Sequence, residues 1–577
     1  MTNITVVHEE SISRRFCSSR TDLDLIRTWF NKCERYHKGC QETNQPWFPT
    51  RLLYLGPRGR YIKLVVTEDN PPKGPYMTLS HRWGSERYTM LQSSTITQLQ
   101  RAIDVVRLPR PFQDAIRIAR HLGIQYLWID SLCIKQDKSD RSDWMTESRL
   151  MGKVYSSACL NVSATRSIDG SECLLGKSSW ASKIPSQIDF STESLSIKAY
   201  VIDGDLWDDE VENGPLLRRG WVFQERLLAR RVVHFGESQL AWECNECHGL
   251  GMFPDGLPLS MAVLGGKRSD RAPTTPTSTS STVSTPDIKF VTEWQNLMSQ
   301  YSKCGLSESG DKLIALEGIV KSKMSIRPGD KYAAGMWKST ALFDLPWWRW
   351  DEDRELYPIE ATSARAPSWS WASVDGEICF PFLLYAGPLS RPDECYAQVK
   401  DMVGHSTDQN GNISAQGKMH LEGLCLPLRI HWHDIEEPSG FTVQGFHFSI
   451  GQGRLESSIH LEASMEVIDS LSTSGKLLLL PLFANIHAIF GLVLAKTYEI
   501  GSHRRIGTLE IKVMAKSLLT QAERDNQGFV IHVSQKGSKG LKEEVDNGTV
   551  TTWKERALEF KDYLHKQKVH SRLISIL

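Results

Sequence analysis

The alternation of apolar runs and amphipathic segments over residues 76–163 constrains the fold more than any other feature of the chain. Tyr76–Ser80, Tyr126–Asp130 and Ala158–Ser163 have the length and composition of buried strands. Between the first two, the apolar residues of Pro111–Gly123 recur on one helical face, with proline at the start and glycine at the end. The order strand, helix, strand, helix, strand predicts an α/β fold, a mostly parallel sheet with flanking helices.

Composition predicts where this α/β domain ends. Residues 272–286 consist almost entirely of Thr, Ser and Pro, which cannot bury a core and are typical of a linker. A helical period follows the linker, and strand-like segments dominate the remainder. We therefore expect five parts, namely an N-terminal extension (1–69), the α/β domain (70–265), the Thr/Ser/Pro-rich linker (266–289), a helical segment (290–355) and a β-rich C-terminal region (356–577).

The charge balance argues against a nucleic-acid partner. Lys plus Arg number 68 and Asp plus Glu number 68, so the formal net charge is zero. Proteins that bind nucleic acid usually carry a basic field, which this composition lacks. We expect no nucleic-acid function.

Two segments bear on localisation. Met1–Phe16 contains no apolar stretch of the kind that directs secretion, which predicts a cytoplasmic protein. Leu477–Ala495 carries no Asp, Glu, Lys or Arg, but Pro481, Asn485 and His487 interrupt it. We predict two buried strands there and no membrane span.

The cysteines indicate reduced thiols. Twelve cysteines in 577 residues are too few and too scattered for a disulfide scaffold. Cys244–His248 spells a c-type haem attachment sequence, but without an export signal we expect no haem. A zinc site would need a second pair of ligands, and Cys33 with Cys40 is a poor candidate. The sequence predicts packed thiols, no metal site and no required cofactor.

Glu147 is the residue whose position most invites a functional interpretation. In a helix beginning near Asp143, it would share one stripe with Trp144, Met151 and Val154. A carboxylate on this apolar side costs free energy unless a partner or a ligand compensates. Two interpretations remain open, a structural ion pair with an arginine and a ligand site.

Polar residues follow the two predicted strands at the edge from which the Glu147 helix starts. Ligands of open α/β sheets bind outside the carboxyl ends of the strands. This order of elements predicts a polar crevice with one carboxylate on its wall. The residues delivered to it are Ser80, His81, Arg82, Asp130 and Ser131.

A third polar segment precedes a predicted hairpin. Arg219–Leu228 is a helical pattern that contains Gln224, Glu225 and Arg226. Two interpretations remain open for these side chains and for Arg219: they reach the crevice from a neighbouring element, or they form a buried polar network.

Three sequence segments together resemble the fungal heterokaryon-incompatibility (HET) domain, over about residues 70–250. Leu79-Ser-His-Arg-Trp-Gly84 is similar to the first motif of that family. Tyr126–Asp137, continuing to Asp143–Glu147 and Met151–Tyr155, is similar to the second. Arg219-Gly-Trp-Val-Phe-Gln-Glu-Arg226, with Trp242-Glu-Cys244, is similar to the third. Ala366–Ser373 also resembles a tail that often follows this domain.

The resemblance implies a function in nonself recognition and regulated cell death in a fungus. It also implies self-association through this domain, other incompatibility proteins as partners, and a sheet distantly similar to Toll/interleukin-1 receptor (TIR) domains. In enzymatic members of that wider group, a helix carries Trp-Cys-x-x-Glu, and the glutamate supports cleavage of NAD. Here Trp144-Met-Thr-Glu147 matches at Trp and Glu, with Met145 in place of the cysteine. The resemblance thus implies Glu147 as the catalytic residue and NAD as the substrate.

The remaining assignments rest on strand-end position. We expect Trp83 to stack on a ring of NAD, and Ser80, Arg82 and Asp130 to contact ribose or phosphate. Cleavage of the nicotinamide–ribose bond passes through an oxocarbenium-like state that one carboxylate can stabilise. The alternative function is a non-enzymatic HET-domain adaptor that recruits partners by domain–domain association.

Overall fold

The computed structural model of the chain describes the following residues: 4–8, 21–41, 46–56, 59–84, 88, 90–169, 171–176, 186–191, 196–258, 261, 287–350, 365–380, 394–403, 417–433, 442–450, 453–461, 465–484, 488–499, 501–512, 529–534 and 571–577. The described chain divides into two compact units. The first unit comprises Met1–Thr279 and Cys304–Ser325, and the second comprises Ser280–Lys303 and Ile326–Leu577. Most of the predicted linker lies outside the described residues.

The first unit contains a small sheet and a large one. Its strands are β1 Ile4–His8, β2 Arg51–Tyr54, β3 Tyr61–Val66, β4 Tyr76–Ser80, β5 Ile103–Asp104, β6 Tyr126–Trp128, β7 Leu160–Ser163, β8 Ser186–Ser191, β9 Ser196–Asp203, β10 Arg231–Phe235, β11 Leu240–Cys244 and β12 His248–Leu250. The small sheet has the order β1-β9-β8, and the large one has the order β12-β11-β10-β7-β4-β6-β2-β3-β5.

The large sheet is mixed. Its central strands β10, β7, β4 and β6 are parallel to one another, as the alternation of strand and helix predicts. The flanking strands are antiparallel, because β10 with β11 and β2 with β3 are hairpins with short connections. The α/β prediction is confirmed, but the sheet is mixed rather than mostly parallel.

Residues that we assigned to the N-terminal extension form part of this sheet. Strand β2 pairs with both β3 and β6, and in this way it extends the sheet beyond the parallel core. Leu52, Leu53 and Leu64 are buried in the same hydrophobic core as β4 and β6. The sheet therefore begins before residue 70.

The helices of the first unit are α1 Asp22–Tyr36, α2 Ile96–Arg101, α3 Arg110–Leu122, α4 Asp130–Cys133, α5 Ser142–Ser148, α6 Met151–Ser157 and α7 Gly220–Leu228, with α9 Glu317–Met324 following later in the chain. Helix α3 has Pro111 in its first turn and is capped by Gly123, whose φ of +79° accommodates the left-handed turn. The predicted helix over 219–228 and the hairpin about Gly236 are confirmed by α7, β10 and β11.

The helix that we predicted from Asp143 to Tyr155 is interrupted. It consists of α5 and α6, separated at Arg149 and Leu150. Helix α5 begins at Ser142, and the carboxylate of Asp143 accepts two hydrogen bonds from Nη2 of Arg51, at 2.8 and 2.7 Å. Asp143, at the start of α5, therefore has a tertiary partner on β2.

The second unit combines short helices with an extensive β structure. Its helices are α8 Ile288–Ser302, α10 Ala341–Asp344 and α11 Met465–Thr473. Its strands are β13 Tyr332–Ala333, β14 Met336–Trp337, β15 Trp348–Trp350, β16 Glu377–Cys379, β17 Glu394–Cys395, β18 Ala397–Val403, β19 Lys418–Gly423, β20 Leu426–His433, β21 Thr442–Ile450, β22 Gly453–Leu461, β23 Leu477–Ala484, β24 Ala488–Lys496, β25 Ser502–Lys512, β26 Phe529–Ser534 and β27 Arg572–Ile576.

The uncharged stretch at 477–495 forms the antiparallel pair β23 and β24, which confirms the predicted strands. Both strands are almost entirely buried. In the described part of the chain, we find no helix with the length and apolarity that a membrane crossing requires.

Tryptophans fill the centre of the second unit. Five of its fully buried side chains are Trp294, Trp337, Trp347, Trp369 and Trp371. The guanidinium of Arg505 lies 3.6 Å from the centroid of the Trp347 ring. Two of the tryptophans come from the Ala366–Ser373 segment, so this tail-like motif is part of a hydrophobic core.

Candidate functional site

Polar side chains cluster at the carboxyl ends of the central parallel strands, where the sequence predicts a crevice, and we call this cluster the crevice. Ser80 ends β4, His81 follows it, and Asp130 opens α4 two residues after β6. Ser80 and His81 are buried, whereas Asp130 keeps 26% of its side chain exposed. Strands β4 and β6 are neighbours in the sheet, so their ends deliver these side chains to one edge.

Asp130 contacts three other residues at the edge of the crevice. Its carboxylate accepts hydrogen bonds from Nε1 of Trp83 at 2.9 Å and from the backbone N–H of Ser131 at 2.7 Å. Its Oδ1 lies 3.7 Å from Nδ1 of His81. The Trp83 ring is 38% exposed, so an aromatic face remains accessible at the rim.

His81 is held in the neutral form by its surroundings. Burial lowers the pKa of this imidazole, and the charge of Asp130 raises it by less. The ring meets the edge of Phe112 at a centroid distance of 4.7 Å. Nε2 is buried and has no hydrogen-bond partner among the described residues.

Glu225 is the most strongly perturbed carboxyl group of the crevice. It projects from α7 and is 6% exposed. Burial raises its pKa to about 7, although hydrogen bonds with Ser80 and Tyr155 act in the opposite direction. The negative charge of Asp130 also raises this pKa. A carboxyl group poised near neutral pH can gain or lose a proton during a reaction.

Neighbouring elements fix the residues around Glu225. The hydroxyl of Ser80 accepts a hydrogen bond from Nδ2 of Asn161 on β7, at 3.0 Å. Nη1 of Arg219 donates to the backbone carbonyl of His81 at 2.8 Å, and this contact ties the start of α7 to the end of β4. Tyr155 comes from α6 and is fully buried. The side chains are thus positioned by three different parts of the fold.

Helix α7 contributes to the crevice and to a separate buried network. Arg226 donates to Glu212 at 2.7 and 2.6 Å and to Glu243 at 2.8 and 3.2 Å. Nε2 of His234 lies 3.2 Å from the Glu243 carboxylate. The two interpretations of this segment therefore apply to different residues: Arg226 belongs to the network, whereas Arg219 and Glu225 face the strand ends.

Glu147 occupies a buried ion pair. Its Oε1 lies 3.5 Å from Nη2 of Arg51, and both side chains are almost fully buried. Burial raises the pKa of Glu147, while a hydrogen bond with Thr50 and the charge of Arg51 lower it by less. The arginine that the structural interpretation required is therefore present on β2. The catalytic role of Glu147 stays a prediction.

The structure brings some of the predicted site residues together. Ser80 and Asp130 both act on Glu225, and Trp83 contacts Asp130. Arg82 is exposed and makes no hydrogen bond or ion pair with another described residue. Sequence reasoning left open whether Glu225 reaches the crevice or belongs to a buried network, and it did not select Tyr155 as a site residue.

Comparison with known proteins gives the crevice a family context. Residues 76–225 match the family model "Heterokaryon incompatibility protein (HET)". This HET region, residues 76–225, is about a quarter of the chain and contains β4, β6, β7 and most of α7. No curated protein and no solved structure is significantly similar to the chain. The similarity of the HET region to TIR domains therefore stays a prediction.

Proposed function

We propose that this chain acts in heterokaryon incompatibility, as an effector of nonself recognition and regulated cell death in a fungus. The match of residues 76–225 to the HET model supports this proposal. At the level of chemistry, we propose that the crevice cleaves the nicotinamide–ribose bond of NAD. The observation that carries this second step is Glu225, a buried carboxyl group at the strand ends with a pKa of about 7.

The proposed reaction breaks one bond and forms another. The electron pair of the C–N bond leaves with the nicotinamide nitrogen, which departs neutral, and the ribose carbon gains oxocarbenium character. A water oxygen then bonds to that carbon and releases a proton. Glu225 accepts this proton, for which a pKa near neutral is well suited. Asp130 supplies a negative charge that stabilises the cationic transition state.

Trp83, Arg82 and Ser80 bind the dinucleotide. The exposed face of Trp83 stacks on a ring of NAD, and its orientation is fixed by the Nε1 hydrogen bond to Asp130. Arg82 is exposed and reaches a phosphate group. Ser80 contacts a ribose hydroxyl, as its place beside Glu225 favours.

Two carboxylates compete for the catalytic role. The family resemblance assigns the catalytic role to Glu147. The position of Glu225 at the strand ends instead favours Glu225 for this role. Glu147 already has a charged partner in Arg51, which offsets the cost of burying its carboxylate. We therefore propose Glu225 as the main catalytic residue and test Glu147 in parallel.

The second candidate function is the non-enzymatic adaptor that recruits partners through the HET region. The Arg51–Glu147 ion pair favours it, because a structural role for Glu147 removes the residue on which the resemblance to NAD-cleaving domains depends. The adaptor and the enzyme both allow self-association. They differ in whether NAD is consumed.

Expression in a fungal host distinguishes the two functions. Cell death and cellular NAD are measured for the wild type and for Glu225→Gln, Glu147→Gln and Glu237→Gln, the last being a control at an exposed glutamate. We expect Glu225→Gln to abolish both cell death and NAD loss at unchanged protein level. Cell death without NAD loss, unaffected by Glu225→Gln or by Glu147→Gln, would contradict the enzyme and support the adaptor.

A further inference from the structure

Four side chains that are distant in sequence converge beside the first unit's sheet, away from the crevice. Cys33, His37, Cys40 and Cys244 each offer one sulfur or nitrogen atom, and these four atoms all lie within 4.8 Å of one another. Nδ1 of His37 lies 3.3 Å from Sγ of Cys244 across a separation of 207 residues. Cys33, His37 and Cys40 precede the HET region in the sequence, and Cys244 follows it.

Local structure places three of these residues on one short segment. Cys33 is in the last turn of α1, and His37 caps that helix, with its N–H donating to the carbonyl of Cys33 at 3.1 Å. A residue and the one four positions later lie on the same helical face. Cys40 ends the turn Lys38–Cys40, whose first hydrogen bond runs from the Cys40 N–H to the His37 carbonyl. The spacing is therefore Cys-x-x-x-His-x-x-Cys.

Strand β11 presents the fourth residue, Cys244, at its carboxyl end. Helix α1 is held against this strand by Trp29 and Trp242, whose ring centroids are 6.0 Å apart. Nδ2 of Asn245 donates to the carbonyl of Gly39 at 2.6 Å, which fixes the turn between His37 and Cys40. These contacts position all four donor atoms independently of any ligand.

The distances fit a tetrahedral zinc ion. Zinc–sulfur bonds of about 2.3 Å and zinc–nitrogen bonds of about 2.0 Å place tetrahedral ligand atoms roughly 3.5–3.8 Å apart. Because all four donor atoms lie within 4.8 Å of one another, small side-chain adjustments suffice for this arrangement. Three sulfurs with one nitrogen are also a common ligand set of structural zinc. Iron–sulfur clusters more often take four cysteines, or two cysteines with two histidines.

The surroundings match the charge that such a centre would carry. Zinc with three thiolates and a neutral imidazole has a net charge of minus one. Arg231 is buried, and its Nε donates to Sγ of Cys33 at 3.1 Å, so one guanidinium neutralises that charge.

We propose that Cys33, His37, Cys40 and Cys244 bind one structural zinc ion. All four tetrahedral positions are protein ligands, so the site is closed and has no position for a reacting water. The ion joins the end of α1 to the end of β11 and thereby fastens the segment before the HET region to the hairpin after it.

The first experiment measures metal in the full-length protein. The chain is purified through a tag without histidines, with reductant present, and zinc is quantified by plasma mass spectrometry. We expect about one zinc ion per chain, as four ligands make one closed site. Cys40→Ser and Cys244→Ser should lose most of this zinc, whereas Cys173→Ser, a partly buried cysteine of the same unit outside the cluster, should keep it.

A second measurement keeps the proposal testable if the serine variants fail to fold. His37→Cys preserves four ligands, so it should retain zinc and fold, whereas His37→Ala should bind it far more weakly. Substitution of cobalt for zinc should give the thiolate charge-transfer absorption of a tetrahedral site, with a stronger band in His37→Cys. Wild-type protein that is folded but free of zinc, that gives no such band, or whose cysteines are joined by a disulfide under reducing purification would overturn the proposal.

Discussion

Arg51 and Glu147 lie 3.5 Å apart, with only 6% and 5% of their side chains exposed. The same guanidinium donates two hydrogen bonds to Asp143, one turn earlier on α5. One arginine on β2 therefore contacts two carboxylates on α5. This relationship gives Glu147 a structural explanation that the helix stripe alone could not provide.

Replacing Arg51 should destabilise the first unit. Arg51→Met leaves two carboxylates without their cation, and removal of one partner of a buried ion pair costs about 3–5 kcal/mol. Glu147→Gln should cost less, because Arg51 keeps its two hydrogen bonds to Asp143. Urea unfolding of the two variants and the wild type measures both effects. Equal stability of Arg51→Met and wild type would mean that this pair does not hold the helix.

Glu225 should make stability depend on pH. Its folded-state pKa of about 7 exceeds the ordinary value of 4.5, so the folded protein keeps a proton that the unfolded chain loses between these values. The stabilising contribution is complete below about pH 4.5, declines as the pH rises and is lost above about pH 7, for a total of about 3 kcal/mol.

The difference between wild type and Glu225→Gln isolates this contribution. Asp344 in the second unit also has a pKa raised to about 7 by burial and acts in the same direction in both proteins. The unfolding free energy of wild type minus that of the variant should therefore fall between about pH 4.5 and pH 7.5. A difference that stays constant over this range would show that Glu225 titrates as an ordinary glutamate.

Two glycines allow α6 and α9 to approach closely. A Cβ atom on Gly152 would lie 2.5 Å from the Cα atom of Gly318, and one on Gly318 would lie 2.7 Å from the Cα atom of Gly152. Gly152→Ala and Gly318→Ala should each lower the free energy of unfolding by about 1–3 kcal/mol, the usual cost of overpacking. Gly310→Ala, which meets no atom within 4 Å, is the control. Unchanged unfolding midpoints in the first two variants would contradict the close contact.

Arg231 should tune zinc affinity without being a ligand. Arg231→Met removes the hydrogen bond to Cys33 and the positive charge that offsets the net negative charge of the zinc centre. Loss of such a supporting contact typically lowers metal affinity by about 10–100-fold. Competition with a coloured chelator measures the change, and Arg230→Met serves as the neighbouring control. Identical affinities in both variants would show that the guanidinium has no influence on the site.

The sequence predicts the centre of the large sheet well, because local patterns determine it. The apolar runs of β4, β6 and β7 and the amphipathic face of α3 are each visible within a dozen residues. The sequence does not predict strands β2 and β3, since their short apolar segments acquire meaning only when β2 pairs with β6 and β3 pairs with β2. The break at Arg149 and Leu150 was missed for a related reason, as the stripe from Trp144 to Val154 continues across it.

The candidate sites were harder to predict because each assembles distant residues. Arg51 meets the α5 carboxylates only after β2 joins the sheet. Glu225 is distinguished by the burial that α7 gives it beside Ser80. Cys33 and Cys40 lacked a convincing partner in sequence, and the fourth ligand lies 211 positions after Cys33 in the numbering, at Cys244. Only His37, three residues before Cys40, was a local signal that could have suggested a metal site.

NAD consumption by the purified full-length chain tests the central claim most directly. Nicotinamide release is followed for the wild type, Glu225→Gln, Glu147→Gln and Glu237→Gln, each dilute and fused to an oligomerising module. We predict release by wild type and Glu237→Gln, stronger on clustering, with a loss of at least about 100-fold in Glu225→Gln as expected for removal of a catalytic acid–base group. No release by folded wild-type protein in either state would contradict the claim.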